Sequence, residues 1–276
     1  MFLEIILKIF SCIPYLLKFD WSSIIGIFNN QGYCFREYKK HITVYRNGNG
    51  IVINSFKLKV LNPSKVDSIY RRMNIDDGKL SSNFPKLNDM KSTNIDNRFE
   101  DFGFWFISDE EIVTKAKEYY WSEEDVLKKD YTSESNTKEI RWKFLINENK
   151  IKKGKEYTVT YVMSIPGMFP LENGYYVKSL HDSKYNDYNF SSSMKVDHAI
   201  KKLTYVVAFE NGINLDEMPR CVICNPKKNS TITKKPIHGN EENNYIFKKY
   251  TYNIKKPHFQ SRIKIKWNIE EKRKNP

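Results

Sequence analysis

Glycine is scarce in this chain, eleven residues in 276, and no run of them could cradle a phosphate. Gly48 and Gly50 belong to Asn47-Gly48-Asn49-Gly50, which is hairpin chemistry. The parts for nucleophilic catalysis are equally thin. His181-Asp182 and Asp197-His198 are the His–acid neighbours, and no Gly-x-Ser-x-Gly elbow accompanies them. Ser191, Ser192 and Ser193 read as polar linker. No carboxylate pair has a spacing that commits it to acid–base work. A hydrolase triad assembled from distant positions, using His181 or His198, is kept as a lesser alternative. The leading expectation is a protein that is not an enzyme and holds no cofactor.

Cysteine is also short. Cys12, Cys34, Cys221 and Cys224 cannot frame a chain of this length with disulfides, which favours a reducing, cytoplasmic compartment. Cys221-Val222-Ile223-Cys224 has the spacing of a zinc knuckle, and His238 and His258 lie downstream. A closed zinc site needs two well-formed ligand pairs. Cys221, Cys224 and His238 are therefore weak metal candidates, and two cysteines on a strand is the plainer reading.

No clean membrane span is present either. Met1–Phe28 is the most apolar stretch, but Glu4, Lys8, Lys18 and Asp20 interrupt it. A central charge costs roughly 2.5–3.5 kcal/mol on insertion scales. The stretch has no basic n-region and no obvious small-residue cleavage site, so a signal peptide is not expected. Read as a helix kinked at Pro14, it carries Glu4, Lys8, Ser11, Tyr15 and Lys18 on one polar stripe and apolar residues elsewhere. A membrane surface is its expected destination, ahead of the protein's own β core and a partner chain. Phe10, Ile13, Leu16 and Leu17 are the attachment residues, with Trp21 as a head-group anchor.

What the sequence does contain is one strand pattern, repeated. Ile140, Trp142, Phe144 and Ile146 alternate with more polar neighbours, as do Tyr157, Val159, Tyr161 and Met163. Tyr250, Tyr252 and Ile254 do the same, and so do Ile263, Ile265, Trp267 and Ile269. A period of two marks half-buried strands of an antiparallel layer. Asn47–Gly50 predicts a hairpin, Phe102–Ile107 a buried strand, and Ile246–Ile254 with Arg262–Ile269 a final hairpin across Pro257. Ser64, three before Asp67, predicts a short helix through Tyr70. The spacing of Ser108 and Glu111 predicts a helix to about Tyr120, with a second over Glu123–Lys129. Ser164–Pro170 reads as a loop tucked over the core's end, or else a binding loop.

Lys153-Gly154-Lys155 leads into Tyr157, which starts a strand. This resembles the tyrosine corner of immunoglobulin-like sandwiches. Val159 stands where antibody domains carry their second disulfide cysteine, so the disulfide version is absent. The resemblance implies an immunoglobulin-like antiparallel β-sandwich, one large or two stacked units, and nothing about a ligand. The expected organisation is a helical segment 1–34, a β unit 35–178 with a helical insertion near 108–130, a polar linker 179–193, a basic β unit 194–270, and a disordered tail 271–276.

The charge of +13 is uneven. Residues 1–140 hold 20 Lys+Arg against 20 Asp+Glu, so the remaining 26 against 13 put the entire excess after residue 140. That draws an acidic protein or anionic lipid, with Lys248, Lys249, Lys255, Lys256, Arg262, Lys264 and Lys266 as the anion contacts. Nucleic acid is not favoured. Arginine is sparse there, and Tyr250, Tyr252 and Trp267, the candidate stacking rings, share the apolar alternation. The sequence thus reads as a recognition or adaptor module, cytoplasmic and peripheral on a membrane's inner face.

Overall fold

The computed structural model describes residues 23, 26–27, 30–76, 104–118, 137–165, 168–169, 171–177, 190–224 and 234–271. Their architecture is mainly β. No helix among them is long and apolar enough to cross a membrane.

The first hairpin shows how alternation becomes sheet. β1 (Tyr33–Val44) and β2 (Gly50–Val60) pair antiparallel, from Tyr33↔Val60 to Val44↔Gly50. Between them Gly48 has φ of 84° and donates to the Tyr45 carbonyl, as the Asn-Gly spacing predicts. An added Cβ there would meet the Phe169 carbonyl oxygen at 2.3 Å, so glycine is required twice over.

The chain continues through β3 (Ser68–Asp76), β4 (Phe104–Ser108), β5 (Val113–Glu118), β6 (Thr137–Ile146) and β7 (Glu156–Ile165). A small hairpin follows, β8 (Leu171–Glu172) with β9 (Tyr175–Tyr176). Then come β10 (Phe190–Lys195), β11 (Ile200–Glu210), β12 (Arg220–Cys224), β13 (Lys234–His238), β14 (Asn240–Asn243), β15 (Phe247–Lys255) and β16 (Arg262–Trp267).

Seven strands make one sheet, in the order β14-β15-β11-β1-β2-β7-β4. Two smaller sheets, β10-β16-β12-β13 and β3-β6-β5, lie against the same face of it. Phe209 of β11 meets Trp267 of β16 at 5.8 Å between ring centroids, and the Tyr205 hydroxyl donates to Ser192 Oγ. Phe144 of β6 meets Tyr161 of β7 at 5.4 Å. The inward residues of all three sheets form one buried cluster. Each large apolar side chain buried this way contributes about 1.5–3 kcal/mol, which is why the alternation survives into the fold.

Several expectations are corrected. The sheet is not purely antiparallel, because β1 pairs with β11 in parallel from Phe35↔Ile200 to Val44↔Phe209. The segments 35–178 and 194–270 therefore give strands to one sheet. Residues 190–193 belong to β10, not to a linker. The helix expected from Ser108 is a single 3-10 turn, Asp109–Glu111, after which β5 begins. The reason is tertiary: the Asp109 carboxylate accepts from the Thr158 amide at 2.8 Å, and Lys150 and Lys155 pair with Glu111 and Glu110. The acidic cluster is tied to the edge of β7 and not to a helix terminus. The helix over 123–129 lies outside the described residues. Ser64 starts no helix through Tyr70. Asn62 caps one turn, Pro63–Lys65, and pairing with β6 claims the chain from Ser68.

β4 is an edge strand and not a buried one, with Ile107 71% exposed. Phe169, by contrast, is buried against Trp267 at 6.0 Å, so this part of its loop does close the core's end. The final hairpin is absent. β15 and β16 belong to different sheets, and the chain crosses between layers through Lys256 and Gln260, both at positive φ.

Candidate anion-binding surface

Cross-strand register gathers a basic face that the sequence scatters. The strands β10, β16, β12 and β13 carry Lys195, Arg220, Lys234, Lys235, Arg262, Lys264 and Lys266 and not one Asp or Glu. Ile263, Ile265 and Trp267 point into the core, so Arg262, Lys264 and Lys266 take the outer face. Lys195 stands opposite Arg262, and Arg220 opposite Lys266. Lys234 is opposite Cys224, itself the partner of Arg262, and His238 is opposite Arg220. Strand neighbours lie about 4.8 Å apart and alternate residues about 6.7 Å, so these positions form a closely spaced lattice on one face.

Two of its cations are matched. Lys195 pairs with Asp197 at 3.3 Å and Arg220 with Glu217 at 2.6 Å. Among the described residues, Arg262, Lys264 and Lys266 have no acidic partner.

The other anion candidates do not join them. Lys248, Lys249 and Lys255 are on β15, in the opposing layer. Lys248 pairs with Glu241 at 3.0 Å and lies over the Tyr250 ring. The hydrogen bond to Tyr250, followed by that to Glu241, raises its pKa, so its charge is already committed. Lys249 is opposite Glu242 of β14, Lys255 is opposite Lys202, and Lys256 sits in the crossing turn. Lys195, Arg220 and Lys234 are the residues sequence reading missed. The signal available was the absence of acids from four strands, but their adjacency follows only from pairing.

The metal candidates are not brought together. On a strand, residues three apart face opposite sides, so Cys221 is fully buried while Cys224 is half-buried on the other face. Burial pushes the Cys221 thiol up to about 12. The backbone of His238 is on β13, beyond Ile237, the partner of Cys221. Tyr250, Tyr252 and Trp267 are 2%, 1% and 2% exposed, so none offers a face for stacking. His198 stacks on Tyr33 at 4.4 Å, while His181 lies outside the described residues. Phe10, Ile13, Leu16, Leu17 and Trp21 lie outside them too.

No family model matches this chain, and no curated protein does. Among solved structures it is similar to a "putative protease" from Parabacteroides distasonis, at 9% identity and TM-score 0.42, over 86% of this chain and 40% of that one. The M1 zinc metallopeptidase of Deinococcus radiodurans gives 8% and 0.36, over 85% and 42%. A "putative nutrient binding protein" from Legionella pneumophila gives 10% and 0.36, over 86% and 67%. The chain spans about two fifths of the first two. All three scores lie below 0.5, so no function is read from them.

Proposed function

We propose that the chain is a non-enzymatic recognition module that docks on an anionic membrane surface through the outer face of its four-stranded sheet. The observation that carries this is the cluster of Arg262, Lys264 and Lys266, without acidic partners among the described residues and flanked in register by Lys195, Arg220 and Lys234. A closely spaced lattice of cations complements an array of acidic head groups. Each Lys or Arg near such a surface contributes about 1 kcal/mol, so the three unpaired cations supply about 3 kcal/mol, on the order of 100-fold in partitioning. The attraction decays within a Debye length and is salt-sensitive. Acidic lipid is concentrated on the cytoplasmic leaflet, so the protein is cytoplasmic and peripheral on that face.

Within its β architecture the β6–β7 corner is taken as immunoglobulin-like. The Tyr157 hydroxyl donates to the Lys150 carbonyl at 3.1 Å and accepts from the Lys152 amide at 3.0 Å, which supports that reading.

The test is flotation with phosphatidylserine-containing and neutral vesicles at two salt concentrations. Wild type should float with anionic vesicles at low salt. Combined Arg262→Glu, Lys264→Glu and Lys266→Glu should abolish this, whereas Lys249→Glu with Lys255→Glu should retain most of it. Indifference of wild type to anionic lipid would overturn the membrane reading. Salt-sensitive capture by polyglutamate in that case would assign the same face to an acidic protein.

A further inference from the structure

On the premise that the basic face docks on anionic lipid, we infer that the turn joining β14 to β15 is an insertion tip. Its Tyr245 and Ile246 enter the boundary between head groups and acyl chains of the same membrane.

The first observation is exposure. Tyr245 is 102% and Ile246 62% exposed, between the two strands of the hairpin. Turns ordinarily display Gly, Pro, Asn, Asp or Ser. Here Asn244 supplies that chemistry, and the residues after it are an aromatic and an aliphatic one.

The second is how the turn is held. Asn244 Oδ1 accepts from the Ile246 amide at 3.0 Å and from the Phe247 amide at 2.6 Å, and the Asn244 amide donates to the Phe247 carbonyl at 3.0 Å. From the end of β11, the Asn211 amide donates to the Ile246 carbonyl at 2.8 Å. Asn211 Nδ2 donates to the Asn244 and Tyr245 carbonyls at 3.0 and 2.7 Å. All four carbonyls of residues 244–247 and three of their four amides are thus satisfied within the protein. The Tyr45 and Phe247 rings meet edge to face at 5.8 Å behind them. A turn whose backbone bonds are already made loses little on leaving water. Held in this way, it also has little conformational entropy left to lose.

The size of the patch selects lipid over protein. Two such side chains offer roughly 300–400 Å², against about 800 Å² per partner in a stable protein interface. Tyrosine, an apolar ring with a polar end, suits the membrane–water boundary. Charge agrees, because Lys248 pairs with Glu241 at 3.0 Å and Lys249 stands opposite Glu242, so the hairpin brings no net charge to an anionic surface. Placement agrees too. The Tyr205 hydroxyl meets Ser192, the partner of Ile265, and further along β11 Phe209 meets Trp267. β11 and β16 therefore run the same way, which puts Asn211 and the tip beyond the Lys266 end of the basic sheet. The cations supply a salt-sensitive attraction and the tip a salt-insensitive hold.

The test is flotation of the full chain and of its Tyr245→Ser, Ile246→Ser double variant with phosphatidylserine-containing vesicles at two salt concentrations. Both side chains are exposed, so the variant should match wild type in urea unfolding. It should partition about tenfold more weakly at both salt concentrations, whereas the contribution of Arg262, Lys264 and Lys266 falls with salt. Tyr245→Trp, read against wild type, should add fluorescence that brominated lipid quenches. If wild type floats, a serine variant that floats equally well, or an introduced tryptophan that brominated lipid leaves unquenched, would overturn the inference and leave the docking of the basic face standing. Wild type indifferent to anionic vesicles would overturn both.

Discussion

Replacing Lys40 by methionine should stabilise the protein at neutral pH. Lys40 is on the inner row of β1, between Tyr205 of β11 and Asn54 of β2. Its Nζ donates to the Ser193 carbonyl at 3.2 Å and stands 5.2 Å from the Tyr205 ring centroid. Among the described residues no carboxylate pairs with it. Burial pushes its ammonium from 10.5 down to about 8. At about 1.36 kcal/mol per pKa unit, that shift corresponds to roughly 3.4 kcal/mol against the charged form. Lys40 is only partly covered, and methionine forgoes one hydrogen bond and one cation–π contact, together about 1.5–2 kcal/mol. Methionine keeps the flexible stem that fills the space. The net expectation is a gain of about 1–2 kcal/mol at pH 7.

The pH dependence separates this explanation from simple repacking. Below pH 8 both folded and unfolded states hold the Lys40 proton, and the full cost is present. Between about 8 and 10.5 the folded state has released a proton that the unfolded state keeps, so wild-type stability rises through that window. The advantage of Lys40→Met should shrink accordingly. Cys221 acts in the opposite sense: its folded pKa is raised from 9.0 to about 12, so above pH 9 ionisation of the unfolded thiol lowers stability. Both proteins share that effect, and it cancels in the difference. Urea unfolding of each at pH 7 and pH 10 gives the answer. A methionine variant less stable at pH 7, or an equal gap at both values, would refute the reasoning.

Tyr157→Phe should cost about 1–3 kcal/mol in urea unfolding, because it leaves the Lys150 carbonyl and the Lys152 amide without their partner; a loss below about 0.5 kcal/mol would show that water replaces the hydroxyl. Maleimide labelling of native protein, read peptide by peptide, should modify Cys224 and spare Cys34 and Cys221, both 0% exposed. Rapid modification of Cys221 under conditions that leave the fold intact would contradict its place in the core.

The strands were legible because burial leaves a period of two. β6, β7 and β15 contain the stretches whose alternation marks them, β16 contains Ile263, Ile265 and Trp267 and ends before Ile269, and Asn-Gly marked the first turn. The Tyr157 hydrogen bonds were legible for another reason: the corner depends on a few local residues. The failures share a cause. Ser108 and Glu111 have helix-start spacing, but a distant amide, Thr158, recruits Asp109, and a capping pattern cannot foresee that. Cys221 and Cys224 are not among those failures, since two cysteines on a strand is the plainer reading and β12 carries both, but their spacing also suits a ligand pair on a turn. On a strand it sends the two sulfurs to opposite faces, and the spacing alone does not say which backbone carries it.

The most consequential failure concerns β15 and β16, because it decides where the charge goes. Alternation shows that Tyr250, Tyr252 and Ile254 share a core with Ile263, Ile265 and Trp267. It is silent on whether the two strands pair side by side or face one another across that core. A hairpin would have placed all their outward lysines on one surface. Instead Pro257, which lacks an amide for a ladder, lies in a crossing tied down at its far end. The Ser261 hydroxyl donates to the His258 carbonyl, and the Val196 amide donates to the Ser261 carbonyl. In opposed layers the inward residues converge and the outward ones diverge, so Lys249 and Lys255 face away from Arg262, Lys264 and Lys266. Density of lysine along the sequence is therefore a poor guide to the field outside this protein. The better guide is a sheet whose four strands contain no acid, and charge reversal on β15 is accordingly the control that should leave vesicle binding largely intact.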